Sequence, residues 1–409
     1  MLEYDPTQFL GQWEGYQVES VRRLPQGESA ERVEIELTPC EGRTGRCCRC
    51  GRRVASIHDT VVRQIWELPI LGAQTVLRVP RRRLACPRCG PRLERLSWLS
   101  PWARMTKRFE ESIARLCQVM AVKHVARYFG LGWDQVKGID KRWLRRKLGP
   151  VNLGEAEVIA MDEFAIQKGH RYATVIVDAM NKRVLWIGRG RARADIRPFF
   201  ELLGPEGRSQ IKAVAMDMNA GYLEEVRAQC PAAEIVYDLF HVVARYGHEV
   251  IDRVRVDEAN RLRHDKKGRQ LVKGSRWLLL RNAQNIDRHE DRIRLQDLLA
   301  ANKTLATVYI LKDDLKRLWT FHYPAAATRF WTQWYQRAVH SRIAPLVRFA
   351  KNLRAHLATI IAHCRWWLST SLLEGINNKI KVIKRMAYGF RDEEYFFLKI
   401  RAAFPGNAG

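Results

Sequence analysis

Acidic side chains and long apolar runs are what this sequence has least of. No run of about 18 apolar residues occurs in its 409 residues, so no helix is expected to span a bilayer. The opening stretch, MLEYDPTQFLGQWEG, lacks the charged-then-apolar order of a secretory signal, and a cytosolic protein is expected. Asp and Glu number 44 against 71 Lys and Arg, a formal net charge of +27. The excess is spread along the length instead of held in one tail. That points to a polyanion handled by several domains, most simply nucleic acid, with a basic membrane-surface protein as the rival. Cysteine is also sparse. The nine present are an odd number and clustered, which disfavours a disulfide framework and favours a metal site. The hydrophobic fraction of 46% is ordinary, and the length suits roughly two to four domains.

Within the cysteine cluster, Cys47/Cys50 and Cys86/Cys89 are two C-x2-C knuckles, with 35 residues between Cys50 and Cys86. Each knuckle places two thiolates on one tight turn, and two such turns complete a tetrahedral zinc site. The runs VVRQIWELP and QTVLRVP between the knuckles, and VEIELTP (Val33–Pro39) before them, alternate like strands. A structural zinc ribbon is expected over about 36–100, after an uninformative segment 1–35. Cys40 and Cys48 are left over, and either is an alternative ligand. His58 reads as a surface residue. Arg81, Arg82 and Arg83 read either as a phosphate grip or as a solvated charge run.

Residues 106–148 read as helices. Phe109, Ile113, Leu116 and Met120 recur at helical spacing, and Val122, Val125 and Ala126 lead to a Phe129-Gly130-Leu131 turn. Val136, Ile139 and Trp143 then continue a second helix. A small residue, a turn glycine and a following apolar residue have the spacing of a helix-turn-helix. Its second helix carries Lys137, Lys141, Arg142, Arg145, Arg146 and Lys147, which suit groove and phosphate contact. The alternative is a helical hairpin with a solvated basic face. The unit is placed at 101–150, ended by Gly149-Pro150.

From Glu157 the period changes. EVIAMDEFAI, RYATVIVDA and RVLWIGRG are three strand-like runs with short connectors, which favour antiparallel hairpins. A helix over Asp195–Leu203, a strand over Ile211–Asp217, a helix over Ala220–Gln229 and a strand over Glu234–Asp238 follow. That is the element order of a ribonuclease H-like domain. In that fold the first strand carries an acid at mid-length and the fourth ends in another. Asp162 and Asp217 stand at those places. Glu163, next to Asp162, has no evident partner and alternates to the other face. Asp178 and Asp195 read as turn and cap residues. Residues 242–368 read as a long helical insertion with heptad-like apolar spacing from Ile343 onward. Its Trp277, Trp319, Trp331, Trp334, Trp366 and Trp367 read more readily as core than as base-stacking surface. In LEGINNKIKVIKRMAYGF, Glu374, Asn378, Lys381 and Arg385 share one helix face opposite Ile376, Ile380 and Ile383. That face suits a metal ligand flanked by phosphate contacts, or ordinary surface pairing of Glu374 with Asn378. Phosphodiester chemistry explains acids in so basic a chain: two Mg²⁺ (or Mn²⁺) ions held by carboxylates can activate a nucleophile and stabilise the leaving oxygen.

RRRLACPRC, AMDEFAIQKGHRYATVIVD, AVAMDMNAGY, AEIVYDLFHVV and LEGINNKIKVIKRMAYGF together make the chain resemble bacterial insertion-sequence transposases of the DDE type, the ISL3 family. The resemblance covers nearly the whole length. It implies a multidomain α+β protein: zinc ribbon, helix-turn-helix, then a ribonuclease H-like core over 151–409 with an all-helical insertion. It implies Asp162, Asp217 and Glu374 as the catalytic triad and Mg²⁺ ligands. Asp238 and His241, in YDLFH, match a family block and are expected to line the active site or to serve structure. The resemblance further implies binding of double-stranded DNA at terminal inverted repeats, cleavage and strand transfer, a homodimer or higher synaptic complex, and a nucleoid-associated location. A DNA-binding regulator without catalysis and a structure-selective nuclease are the alternatives.

Overall fold

The computed structural model describes residues 13–24, 31–167, 169, 171–366 and 370–406. The chain divides into two compact units. One comprises residues up to Gly149 with Lys384–Lys399, the other Pro150–Ile383 with the residues from Ile400 onward. Among the described residues no helix is long and apolar enough to cross a membrane.

In the first unit the alternating runs become a five-stranded sheet. Strand β1 (Tyr16–Leu24) pairs antiparallel with β2 (Arg32–Pro39). A small hairpin of β3 (Gly45–Arg46) and β4 (Arg53–Val54) follows. Then β5 (Ile57–Ile70) and β6 (Ala73–Cys86) form a long antiparallel hairpin. β2 lies parallel to β6, and β7 (Gly90–Leu93) folds back on the end of β6. Ile35, Leu37, Ile65, Leu77 and Val79 are buried together. The expected boundary at residue 35 falls inside β2, and β1 shares its sheet. YQVESVRRL gave little sign of this because it is an edge strand whose side chains are mostly exposed.

The three helices that follow are α1 (Lys107–Leu116), α2 (Val122–Phe129) and α3 (Trp133–Leu148). Phe109, Ile113, Val125, Phe129, Val136 and Ile139 close their core. Gly130 ends α2 at φ 64° with its N–H turned back to the Ala126 and Arg127 carbonyls. A Cβ there would lie 2.9 Å from Gln74 Nε2 in a left-handed backbone conformation, so the turn requires glycine.

The second unit begins with β8 (Val158–Gln167), β9 (Arg171–Asp178) and β10 (Arg183–Arg189), joined antiparallel. Helix α4 (Arg193–Gln210), β11 (Ala213–Met216), α5 (Ala220–Gln229), β12 (Glu234–Tyr237) and α6 (Leu239–Tyr246) complete an α/β layer. The sheet order is β10-β9-β8-β11-β12, with β11 parallel to both neighbours. The helix expected over Asp195–Leu203 is longer: it is interrupted at Gly204 and resumes from Pro205. Proline is well placed in a first turn, so the Gly-Pro pair restarts the helix here instead of ending it.

Beyond α6 a π-helical turn, Gly247–Ile251, leads into α7 (Asp252–Arg261), α8 (Lys266–Gly274) and α9 (Arg276–Leu280). Next come α10 (His289–Ala301), α11 (Lys303–Arg317), α12 (Pro324–His340), α13 (Ala344–Arg354) and α14 (Leu357–Ile361). Trp331 and Trp334 sit in the core shared with the sheet, and Trp319 packs against it. Trp366 donates to Glu234 at 2.7 Å. Trp277 is exposed; Trp367 lies outside the described residues. The apolar spacing from Ile343 runs across a break between α13 and α14, yet Leu346, Ala350, Leu353 and Ile360 stay buried. Helices α15 (Thr370–Met386) and α16 (Glu393–Ala403) close the chain.

Candidate active site and metal centre

Both cysteine knuckles are hairpin turns. Cys47 and Cys50 lie between β3 and β4; Cys86 ends β6, and Cys89 stands in the turn before β7. The Gly51 N–H closes the first turn on the Cys47 carbonyl at 3.0 Å, and the Cys89 N–H closes the second on Cys86 at 3.3 Å. The four Sγ atoms all lie within 4.8 Å of one another. Cys50 and Cys86 are 3.7 Å apart, close to the about 3.8 Å edge of a tetrahedron with 2.3 Å zinc–sulfur bonds. The Arg52 backbone N–H and the neighbouring thiols bring Cys50 down to about 7 against its desolvation. The donor set fits zinc, and Cys40 and Cys48 stand outside it. Of the Arg81–Arg83 run, Arg81 and Arg82 are buried and Arg83 is exposed. Arg82 is buried in a two-point ion pair with Glu94, at 2.9 and 2.8 Å, and Arg81 is buried beside it. Arg83 pairs with Asp59. Their acidic partners lie 12 and 24 residues away in sequence, so the run alone did not reveal them.

In the second unit, one aspartate lies within β8 and two follow the ends of the parallel strands β11 and β12. Ala213, Val214 and Ala215 lie beside Val158, Ile159 and Ala160. Asp217 follows the end of β11, two residues beyond Ala215, as Asp162 lies two beyond Ala160, and the charge of Asp162 acts on it. Tyr237 lies beside Met216, and Asp238 and Asp217 are the next residue of each chain segment. Side chains two apart share a sheet face. The three aspartates therefore follow Ala160, Ala215 and Val236, small residues that line a cavity of about 30 Å³ with Leu372, Leu373 and His363.

Helix α15 lies over this face. Its Leu373, Ile376 and Ile380 are buried, and its Asn377 Nδ2 donates to Asp162 Oδ2 at 2.6 Å. Asp162 is only 6% exposed, and its Oδ1 accepts from the Glu163 N–H at 2.7 Å. His241 Nε2, on α6, lies 3.8 Å from the same Oδ1. Asp238 caps α6 by accepting from the Phe240 N–H at 2.8 Å. Among the described residues, Asp217 Oδ1 and Asn377 Oδ1 are buried without a hydrogen-bond partner.

The electrostatics follow from that crowding. Burial, with the like charges of Asp162 and Glu163, pushes Asp217 up to about 6 against the pull of His241. Burial raises Asp238 as well, helped by the charges of Asp162 and Glu374. For His241 burial acts downward, but the Asp162 hydrogen bond and the charges of Asp162, Asp238 and Asp217 outweigh it and raise its pKa.

Glu374 lies one turn before Asn377, exposed on α15, on the same face as exposed Asn378, Lys381 and Arg385. Lys381 Nζ is 3.4 Å from Asn378 Oδ1. The ligand atoms of Asp162, Asp217 and Glu374 do not all lie within 4.8 Å of one another; among the described residues the four cysteines form the one such set. Glu163 does have a partner, Arg191 Nη1 at 3.0 Å, supplied by the loop after β10. Asp178 accepts from the Met180 and Asn181 N–H groups and Asp195 from Ala192, as turn and cap residues do. Asn377 is the contact that reading the sequence overlooked. It borders the buried stripe of Ile376 and Ile380, and the polar-face pattern singled out its neighbour Asn378. Of the α3 bases, Lys137, Lys141 and Arg145 are ion-paired to Asp392 and Glu394, and Arg142 and Arg146 are exposed.

Three family descriptions match successive parts of the chain. Residues 43–89 match the zinc-finger of transposase IS204/IS1001/IS1096/IS1165. Residues 94–144 match the helix-turn-helix domain of transposase family ISL3. Residues 159–400 match the family described as Transposase. The chain is 53% identical over 409 residues, 100% of both chains, to the transposase for insertion sequence element IS1001 of Bordetella parapertussis. It is 28% identical over 389 residues, 89% of this chain and 86% of the relative, to the transposase for insertion sequence element IS1557 of Mycobacterium tuberculosis.

Proposed function

The chain belongs to the ISL3 family of transposases, and from that premise we propose that it binds the inverted repeats ending its own element and cuts and joins DNA strands through Asp162, Asp217 and Glu374. The observation that carries this is the placing of the aspartates. Asp162 lies on β8 and Asp217 just past the end of its parallel neighbour β11, close enough for one charge to act on the other, and an Asp217 oxygen is buried and unpartnered. The sheet order, three antiparallel strands followed by two parallel ones at the β8 edge, supports a ribonuclease H-like core over 151–409. The helices that follow α6, α7–α14, would make up the insertion, about 242–368, that separates Glu374 from the two aspartates. The zinc ribbon (36–100) and helix-turn-helix (101–150) precede it.

Hard oxygen donors on neighbouring chain segments, one lacking any protein donor, fit Mg²⁺ or Mn²⁺. Asp162 and Asp217, with Glu374 from α15, would hold a pair of such ions. Bound there, the ions supply the Lewis acidity that activates a water or a 3′-hydroxyl and stabilises the departing oxygen. The protein's own groups do the positioning. Asn377 fixes one oxygen of Asp162 and ties α15, the carrier of Glu374, to β8. His241 sets an imidazole beside the acids, whose charges favour its protonated form, and it can face a phosphate oxygen. Asp238 anchors the start of α6 and so aims His241. Arg146, Asn378, Lys381 and Arg385, all exposed, are the contacts offered to the DNA backbone, and Arg142, also exposed, is offered to the DNA beside them. Assembly as a homodimer or larger complex brings two element ends together.

The test is cleavage of element-end DNA with Mg²⁺. Wild-type protein cuts at the element boundary; Asp162→Asn binds the ends equally well and does not cut.

A further inference from the structure

Helix α3 has three faces, and two are occupied. Val136, Ile139, Asp140 and Leu144 are buried. Lys137, Lys141 and Arg145, one turn apart, face the acidic start of α16. Lys137 Nζ lies 3.0 Å from Asp392, and Lys141 Nζ lies 2.8 Å from Asp392 and 3.0 Å from Glu394. Arg145 holds Glu394 with Nε and Nη2, both at 2.7 Å. Alongside, the buried Asp140 accepts from the Tyr395 hydroxyl and pairs with Lys399 at 2.7 Å. Burial acts upward on Asp392, but hydrogen bonds from Lys141, the Tyr395 N–H and Lys137 hold its carboxyl well below the usual range.

The third face is open. Gln135, Gly138, Arg142 and Arg146 recur at i, i+3, i+7 and i+11, and the three with side chains are exposed. Arg142 touches Glu110 at 3.2 Å with 60% of its side chain exposed, an ion pair of the weakest kind. Gly138 is disfavoured in the middle of a 16-residue helix. Nothing in the protein demands it: a Cβ there would meet only the mobile end of Arg142, at 3.4 Å. The half-buried backbone of Gly138, with room for a Cβ beside it, lies between an exposed Gln and an exposed Arg, with exposed Lys123 and Arg127 on the neighbouring α2.

We propose that this stripe is the surface that reads DNA. Gly138 lets the α3 backbone approach the floor of a duplex major groove, Gln135 and Arg142 address base edges, and Arg146 takes a phosphate. Lys137, Lys141 and Arg145 form an internal clamp that fixes α16 and do not read sequence. The chemistry matches: glutamine pairs with adenine N6/N7 and arginine with guanine O6/N7, a major groove about 12 Å wide admits an α-helix, and glycine permits a close approach of the backbone. The inference rests on the reading of this chain as a DNA-binding transposase, and it names the residues that select the site.

The experiment uses full-length, zinc-replete protein and fluorescence anisotropy on two labelled duplexes, the element end and a scrambled copy. Gly138→Leu and, separately, Arg142→Ala are expected to lose about 10- to 100-fold for the element end. Their affinity for the scrambled duplex should change by no more than about 3-fold, and their melting should remain as in wild type. Lys141→Met is expected to keep the ratio of the two affinities within about 2-fold and to melt earlier. Wild-type discrimination in both Gly138→Leu and Arg142→Ala overturns the inference and leaves the proposed function standing. So does a Lys141→Met protein that melts normally but has lost discrimination. A wild-type protein that does not tell the two duplexes apart overturns both.

Discussion

Replacing Asp217 by Asn removes a charge that the fold holds at unfavourable energy, and the structure sets its size. The carboxyl rises from 3.8 to about 6, first through burial and then through Asp162 and Glu163. About two pH units at about 1.4 kcal/mol each is about 3 kcal/mol, and residual exposure to solvent brings that nearer 2 kcal/mol. The sign is fixed by the raised value. Below about pH 3 the carboxyl is protonated folded or unfolded and the charge costs nothing. As pH climbs through 4 to 6 the unfolded chain ionises first, and the wild type loses stability relative to Asn, which does not titrate. Asp217→Asn should therefore melt several degrees above wild type at pH 7.5 in Mg²⁺-free buffer, with the gap falling by about half at pH 5. The assay is thermal melting followed by circular dichroism, without chelator so that the cysteine site stays loaded. The transition to read is the one that moves, since two compact units need not melt together. Added Mg²⁺ should raise the wild-type transition and leave that of Asp217→Asn in place. A variant less stable than wild type at pH 7.5, or a gap that does not narrow towards pH 5, would refute the reasoning.

Two further outcomes can be checked. Asn377→Ala deletes the donor to Asp162 Oδ2; cleavage should fall by at least about 10-fold with DNA affinity unchanged, the cost of one misdirected carboxylate. Cleavage at the wild-type rate would show that Asn377 does not position Asp162. Metal analysis should find about one zinc per chain, lost in Cys86→Ser and kept in Cys40→Ser and Cys48→Ser. Well under one zinc in the wild type would remove the site.

Much of this was legible because the signals were local. The C-x2-C pairs mark two tight turns, Gly130 marks the turn between α2 and α3, and an acid in the middle of EVIAMDEFAI is an anomaly wherever it sits. The element order from β8 to β12 followed from period and connector length alone. What was not legible depended on partners distant in sequence. Glu94 turns Arg82 from a surface base into a buried pair. Asp392 and Glu394, some 250 residues from α3, occupy bases that a helical wheel offers to DNA. β1 escaped because an exposed edge strand has no apolar alternation to betray it. Asn377 escaped because a single residue's offset on a helix decides which side chain touches β8, and periodicity does not resolve one position.

The central claim is that Asp162 and its neighbours carry out the cutting of DNA. Its most direct test is Mg²⁺-dependent cleavage of a duplex bearing the element's own end, by wild type and by Asp162→Asn at matched occupancy of the DNA. The account predicts a cut at the element boundary by the wild type and a loss of at least about 10³-fold in the variant, with binding intact. Cleavage by Asp162→Asn at the wild-type rate would contradict it.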